Sequence, residues 1–174
     1  VITNTILPGA IPFIAQQAML VVSSIDANGL VWSSVLMGEP GFISASDPHN
    51  LILDRTKTFT NPQDCFWHNI RHKPNVGMLV IELSTRRRFR INGTVEVFDD
   101  KFLHIHVDEA YPNCPKYIQR RQPELTASSA NSTPALPKLG AALLPEHLTL
   151  IQNADSVFVG SAAPQQSGPD STFS

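Results

Sequence analysis

The run Arg86-Arg87-Arg88-Phe89-Arg90 is the strongest electrostatic feature of the chain. Read as a strand, alternate side chains share a face, so Arg86, Arg88 and Arg90 point one way and Arg87 the other. Three guanidiniums on one face repel one another unless an anion sits among them, and the guanidinium fork matches phosphate oxygens in pairs. The competing reading is a solvated edge balanced by carboxylates such as Glu82 and Glu96. A second basic group, Lys116 with Arg120 and Arg121, follows the turn at Asn113-Cys114-Pro115. Lys116 and Arg120 are four apart and share a face of a predicted short helix, where cations also serve for capping and solubility alone.

Two histidine pairs are candidate metal ligands. His104 and His106 share one face of a predicted strand with Asp108, and His68 and His72 lie four apart on a predicted helix. Neither pair has a third ligand at a recognisable spacing, and His68-Asn69-Ile70-Arg71-His72 lacks the glutamate of a zinc-hydrolase helix. No metal is expected, and haem ligation by one of these histidines is a minor alternative. A nucleophile elbow, a P-loop and a Ser-His-Asp order are all missing, so hydrolysis and nucleoside-triphosphate chemistry have no support.

The elements that position these residues fit one domain, since 174 residues bury a continuous core without staples. Hydrophobic residues make up 42% and charged residues only 16%, below the roughly 25% usual for soluble domains. A subunit partner or a cofactor is therefore expected to cover part of the surface. With 13 Lys+Arg against 15 Asp+Glu, the net charge of -2 argues against a nucleic-acid binder that depends on phosphate neutralisation. Cys65 and Cys114 form no CxxC pattern and read as two reduced thiols, which suggests a cytoplasmic protein. The apolar stretch from Ala10 to Ile25 is interrupted by Gln16, Gln17, Ser23 and Ser24, and no run approaches the ~20 residues of a membrane span. No membrane partner and no signal peptide are expected. The opening on Val1 suggests a trimmed or processed piece.

Ile11 to Ala18 reads as a short helix with Pro12 in its first turn. Met19 to Ile25 and Leu30 to Met37 form a hairpin around Asp26-Ala27-Asn28-Gly29. Phe42 to Ala45 and Asn50 to Asp54 continue an antiparallel meander, and Phe59 to Ile70 reads as a helix. Val76 to Leu83 is a strand buried on both faces, and Arg86 to Phe98 has one wet face. Within it, Asn92-Gly93 marks a hairpin turn or a bulge. Lys101 to Val107 completes the sheet, and Asp108 to Arg121 reads as a turn followed by a short helix. The expected organisation is a core over residues 1–121, a Pro/Ser/Ala-rich exposed loop over 122–143, and a tail over 144–174. In the tail, Leu144 to Ala154 reads as a helix and Ser156 to Ala162 as a strand. That tail echoes Ile14 to Val21 in Leu150 to Val157, so it either completes the barrel or starts a truncated second repeat.

The order of WSSVLMGEPGF, KPNVGMLVIEL, RRRFRINGTVEV and EAYPNCPKYIQRR over Ile11 to Arg121 resembles the pyridoxamine 5'-phosphate oxidase-like FMN-binding split-barrel family, in its branch of predicted flavin-nucleotide-binding proteins. The resemblance implies a mainly β fold with short helices: a six-stranded antiparallel split β-barrel, dimerised with itself, with FMN in clefts at the dimer interface. Carried over, Trp32-Ser33-Ser34-Val35-Leu36 matches the strand beneath the flavin ring, and Ser44 to Ser46 matches the neighbouring phosphate-side strand. Arg88 falls on a polar FMN contact just before the R-x-x-G pattern of Arg90-Ile91-Asn92-Gly93. Two positions depart from the pattern. Leu36 stands where many relatives carry a phosphate-binding cation, and Asp47-Pro48-His49-Asn50 replaces a Ser-Arg-Lys turn. The phosphate then falls to Arg86, Arg88, Lys116 or Arg120. The implied activity is an FMN-dependent oxidoreductase passing a hydride or electrons between NAD(P)H, or another small organic donor, and the flavin. The alternative is a non-enzymatic degenerate barrel that stores flavin, binds haem or docks on a partner.

Overall fold

Burial alternates along much of the sheet, most clearly in the strands over Asn50–Asp54, Asn75–Glu82 and Phe102–Pro112. The computed structural model describes residues 1–59, 61–114, 116, 118–123 and 140–163. A 3-10 turn at Pro8–Ala10 leads into α1 (Ile11–Ala15), and the strands are β1 (Met19–Ile25), β2 (Val31–Met37), β3 (Ile43–Asp47), β4 (Asn50–Asp54), β5 (Asn75–Glu82), β6 (Arg87–Phe98) and β7 (Phe102–Pro112). Helix α2 (Cys65–His72) joins β4 to β5, and α3 (Pro145–Asn153) lies in the tail. All seven strands form one antiparallel sheet in the order β2-β1-β5-β6-β7-β4-β3. The fold is thus mainly β with a few short helices, as expected, but it has seven strands rather than six, because the tight β3-β4 hairpin contributes two.

Local chemistry explains the boundaries. The β1-β2 turn closes around Asp26, whose carboxylate accepts from the backbone N–H groups of Asn28 (2.8 Å) and Leu30 (2.9 Å) and from Trp32 Nε1 (3.0 Å). Gly29 takes the left-handed φ of 85° that the turn requires. Helix α2 starts at Cys65 and not at Phe59, because Asp64 caps it by accepting from the Phe66 N–H at 2.9 Å. It stops before Lys73, whose extended backbone is imposed by Pro74.

One face of the sheet carries the core. Leu20, Val22, Leu36, Val80, Ile91 and Leu103 point inward and pack with Phe42 and with Ile14, Phe66 and Ile70 of the helices. Two earlier readings fail here. Asp108 to Arg121 is not a turn and a helix: β7 runs on to Pro112, and no helix follows among the described residues of that stretch. Its outline was hidden by a bulge, since β7 pairs Glu109 with Asn92 and Val107 with Gly93 and leaves Asp108 out of register. The segment Ser156 to Ala162 pairs with no strand. It lies extended across the sheet, with Phe158, Gly160 and Ala162 less exposed than Val157, Val159 and Ser161. The core of the predicted loop, 124–139, and residues 164–174 of the tail fall outside the described residues. No helix among the described residues is long and apolar enough to cross a membrane.

Candidate functional site

The outer face of β2, β1, β5, β6 and β7 builds the site in rows, because cross-strand partners in an antiparallel sheet stand side by side. One row is small and polar: Ser33, Ser23, Gly77, Asn92 and Glu109 are successive partners across five strands. The next row is Val35, Val21, Leu79, Arg90 and Tyr111. Arg88, opposite Ile81, begins a third. The result is a shallow floor with an apolar stripe at Val21 and Leu79, flanked by small residues on one side and cations at one end.

Above this floor lies a cleft of about 410 Å³, within the usual range for a small-molecule site. Its walls are β6, the chain returning from β7 through Asn113, Cys114, Lys116 and Ile118, and the extended tail from Ser156 to Ser161. Arg88 sets the returning chain in place by donating from Nη2 to the carbonyl oxygens of Cys114 and, at 3.0 Å, Lys116. Lys116 thereby reaches the rim of the same cleft as Arg88 and Arg90. The tail is tied down by an ion pair between Arg121 and Asp155. Gly160 sits so close to the sheet that a Cβ there would lie 3.1 Å from Ser23 Cβ and 3.2 Å from Val31 Cγ1.

Of the residues singled out from sequence, Ser33, Arg88 and Lys116 line the cleft. Trp32 and Ser34 alternate away from it: the indole is held by Asp26, and the Ser34 hydroxyl donates to Asp64 Oδ1 at 2.7 Å. Val35 lies on the outer face beside the cleft, 45% exposed. Ser44 and Ser46 lie on β3, at the far edge of the strand order, where the Ser46 hydroxyl donates to the Asn50 carbonyl at 3.3 Å. Arg120 is exposed and does not line the cleft. Arg86 departs from the expected alternation. It precedes β6 in a turn, with a left-handed φ of 65° and its N–H donating to the Glu82 carbonyl at 2.8 Å. The shared face therefore carries Arg88 and Arg90, while Arg87 on the opposite face lays its guanidinium 4.6 Å above the Phe13 ring.

The two departures from the family pattern also find their places. Leu36 is fully buried in the core and points away from the cleft, so a cation there would face apolar side chains. Asp47-Pro48-His49-Asn50 makes the β3-β4 turn, where Asp47 accepts from the His49 N–H at 2.7 Å and from Asn50 Nδ2. Arg90, read from sequence as part of the anion-binding arginine face, also lines the cleft, together with residues that sequence reading passed over: Gly77, Ser23 and the tail from Ser156 to Ser161. Arg90 was signalled by its alternation with Arg88. Gly77 had no sequence signal beyond being the one glycine in an apolar strand.

Histidines stand elsewhere. His106 stacks on His49 with ring centroids 6.4 Å apart, and the His68 and His72 rings are 4.7 Å apart. No group of three metal-ligating side chains occurs among the described residues. Burial raises the Cys65 thiol pKa, and the neighbouring Asp64 carboxylate adds to the effect.

The solved structures to which the chain is similar are distant. A candidate pyridoxamine 5'-phosphate oxidase from Lactobacillus delbrueckii is 15% identical, with a TM-score of 0.49, over 63% of this chain and 95% of its own. An FMN-binding protein from Syntrophomonas wolfei is 12% identical, with a TM-score of 0.47, over 59% and 81%. HutZ, the haem storage protein of Vibrio cholerae, is 13% identical, with a TM-score of 0.38, over 62% and 91%. No curated protein sequence matches the chain. The sequence model described as pyridoxamine 5'-phosphate oxidase matches residues 10–123, the span that runs from the start of α1 to the chain returning over Arg88, and the chain belongs to that family.

Proposed function

We propose that the cleft on the outer sheet face binds FMN and that the protein is a flavin-dependent oxidoreductase acting on a small organic donor or NAD(P)H. The observation that carries this reading is the convergence of Arg88, Arg90 and Lys116 on a cleft whose floor is Val21, Ser23, Gly77 and Leu79. Two features fit a flat, anionic cofactor. At Gly77 a Cβ would come within 2.5 Å of Ser23 Oγ, so the missing side chain makes room for the Ser23 hydroxyl and keeps the floor low and polar at that point. Arg88 Nε is a buried donor with no partner among the described residues, the kind of group a bound acceptor satisfies.

Bound FMN would supply the hydride and electron chemistry. The chain's own residues bind and orient it. Arg90 and Lys116 neutralise the phosphate, Arg88 fixes the backbone that carries Lys116, Val21 and Leu79 pack beneath the ring, and the tail excludes water from above. No side chain is required as acid or base. FMN is favoured over haem because no histidine lies among the described residues lining the cleft.

A homodimer belongs to the same proposal. Only 16% of residues are charged, and Val31 and Val35 on the outer face are exposed. Light scattering at micromolar concentration should give twice the chain mass, and a monomer mass would remove this part of the reading.

A second reading, a binding module without turnover, is favoured by one observation: the Arg88 guanidinium is already engaged by two backbone carbonyls. The absorption spectrum of FMN-reconstituted protein, followed by anaerobic addition of NADH or NADPH, separates the two. A protein-bound flavin spectrum that bleaches supports the oxidoreductase. A bound spectrum that resists both donors supports a flavin-binding module, and the lack of a bound chromophore removes the oxidoreductase and leaves a degenerate barrel that docks on a partner.

A further inference from the structure

A second cavity, of about 340 Å³, opens on the same sheet face beyond Ser23, Gly77 and Arg90, which it shares with the first. Its chemistry is different. Asp108 and Glu109 both line it, although consecutive strand residues ordinarily point to opposite faces. The bulge in β7 explains this. Val107 and Ala110 are both buried in the core, and Asp108 is the residue skipped between the Glu109–Asn92 and Val107–Gly93 pairs. Both intervening carboxylates are therefore turned outward, a re-aiming that bulges commonly perform beside functional sites. Gly93 permits it, since a Cβ there would lie 2.4 Å from the His106 carbonyl oxygen.

Each carboxylate is held by one oxygen. Glu109 Oε2 accepts from Asn92 Nδ2 at 2.8 Å, and Asp108 Oδ2 accepts from Thr94 Oγ1 at 2.8 Å. No cation among the described residues forms an ion pair with them. The two ion pairs among the described residues are Lys57–Asp54 and Arg121–Asp155, and Arg90, in the cavity wall, pairs with neither carboxylate. The lining charges, Arg90 against Asp108 and Glu109, sum to −1, so one bound monocation balances them. Opposed charge across a concave surface selects ligands of the complementary sign.

We propose that this second cavity is a subsite for a small organic monocation, a ligand bearing one protonated nitrogen, held by Asp108 and Glu109. Such a subsite does not require FMN in the first cavity.

The test is an NMR titration of the full chain at neutral pH with n-butylammonium, using n-butanol as the neutral isostere, and a separate FMN titration of the same samples. Saturable n-butylammonium shifts at the amides of Asn92, Gly93 and Glu109, with no such response to n-butanol, are expected. Glu109→Gln and Asp108→Asn should each weaken n-butylammonium binding by about ten-fold, while the FMN affinity of Asp108→Asn stays within about two-fold. Equal responses to the amine and the alcohol, or n-butylammonium binding unchanged in both variants, would overturn the assignment. Saturable n-butylammonium binding without FMN binding would leave it standing and remove the flavin reading; the reverse result would remove it alone.

Discussion

Replacing the arginines of β6 one at a time separates three roles that the structure gives to neighbouring residues. Arg90 lines the cleft beside Leu79 and has no ion-pair partner among the described residues. Arg90→Ala should remove one charge-assisted contact to the phosphate, worth about 1.5–3 kcal/mol, or roughly ten- to a hundredfold in FMN affinity. Arg88→Ala removes the bonds to the Cys114 and Lys116 carbonyls, each worth about 0.5–1.5 kcal/mol net, and releases the backbone that carries Lys116. It should lower both stability and FMN affinity. Arg87→Ala removes only a cation–π contact with Phe13, about 0.5–1 kcal/mol of stability, and should leave affinity unchanged. Quenching of FMN fluorescence gives the affinities, and urea denaturation gives the stabilities. An affinity loss for Arg87→Ala as large as that for Arg90→Ala, or no loss in any variant, would refute the assignment of faces.

Three further outcomes follow from the same geometry. The Asp26 carboxyl is held below its usual pKa by the Trp32 indole and by the Leu30 backbone N–H. A depressed folded-state pKa stabilises fully above the unfolded value of about 3.9 and loses that contribution as pH falls through the lower folded value, so Asp26→Asn should flatten the acid limb of a melting-temperature profile. Cys114 is exposed at the cleft, whereas Cys65 is partly buried with a raised pKa; a thiol reagent at neutral pH should label Cys114 first, more slowly with FMN present, and Cys65 only on unfolding. Leu36→Ala should cost about 2–5 kcal/mol because the side chain is wholly buried. Leu36→Arg should cost more in denaturant titration without improving FMN affinity, since the new cation would face the core.

Most of the sheet was legible because short apolar runs are bounded by turn residues, and β1 and β4 match their sequence reading end for end. Legibility failed where a local device breaks the period. The bulge turns Asp108 and Glu109 the same way, so the end of β7 reads as a turn, and the left-handed Arg86 ends the alternation one residue early. The tail strand misled for the opposite reason: Phe158, Gly160 and Ala162 do alternate toward the sheet, but a ladder needs a free edge, which periodicity cannot reveal. The site was half legible. Ser33, Arg88 and Lys116 were legible as cofactor residues and Arg90 as part of the arginine face, whereas Gly77 and the tail come together through partners more than ten residues away in sequence, a distance over which spacing carries no information.

An amide-resolved NMR titration of the full chain with FMN locates the cofactor. Saturable shifts are expected at Ser23, Ser33, Gly77, Leu79 and Arg90, with the amides of Ser44 and Ser46 in β3 unmoved. Shifts confined to Ser44, Ser46 and the β3-β4 turn, with the Gly77 and Arg90 amides silent, would contradict it.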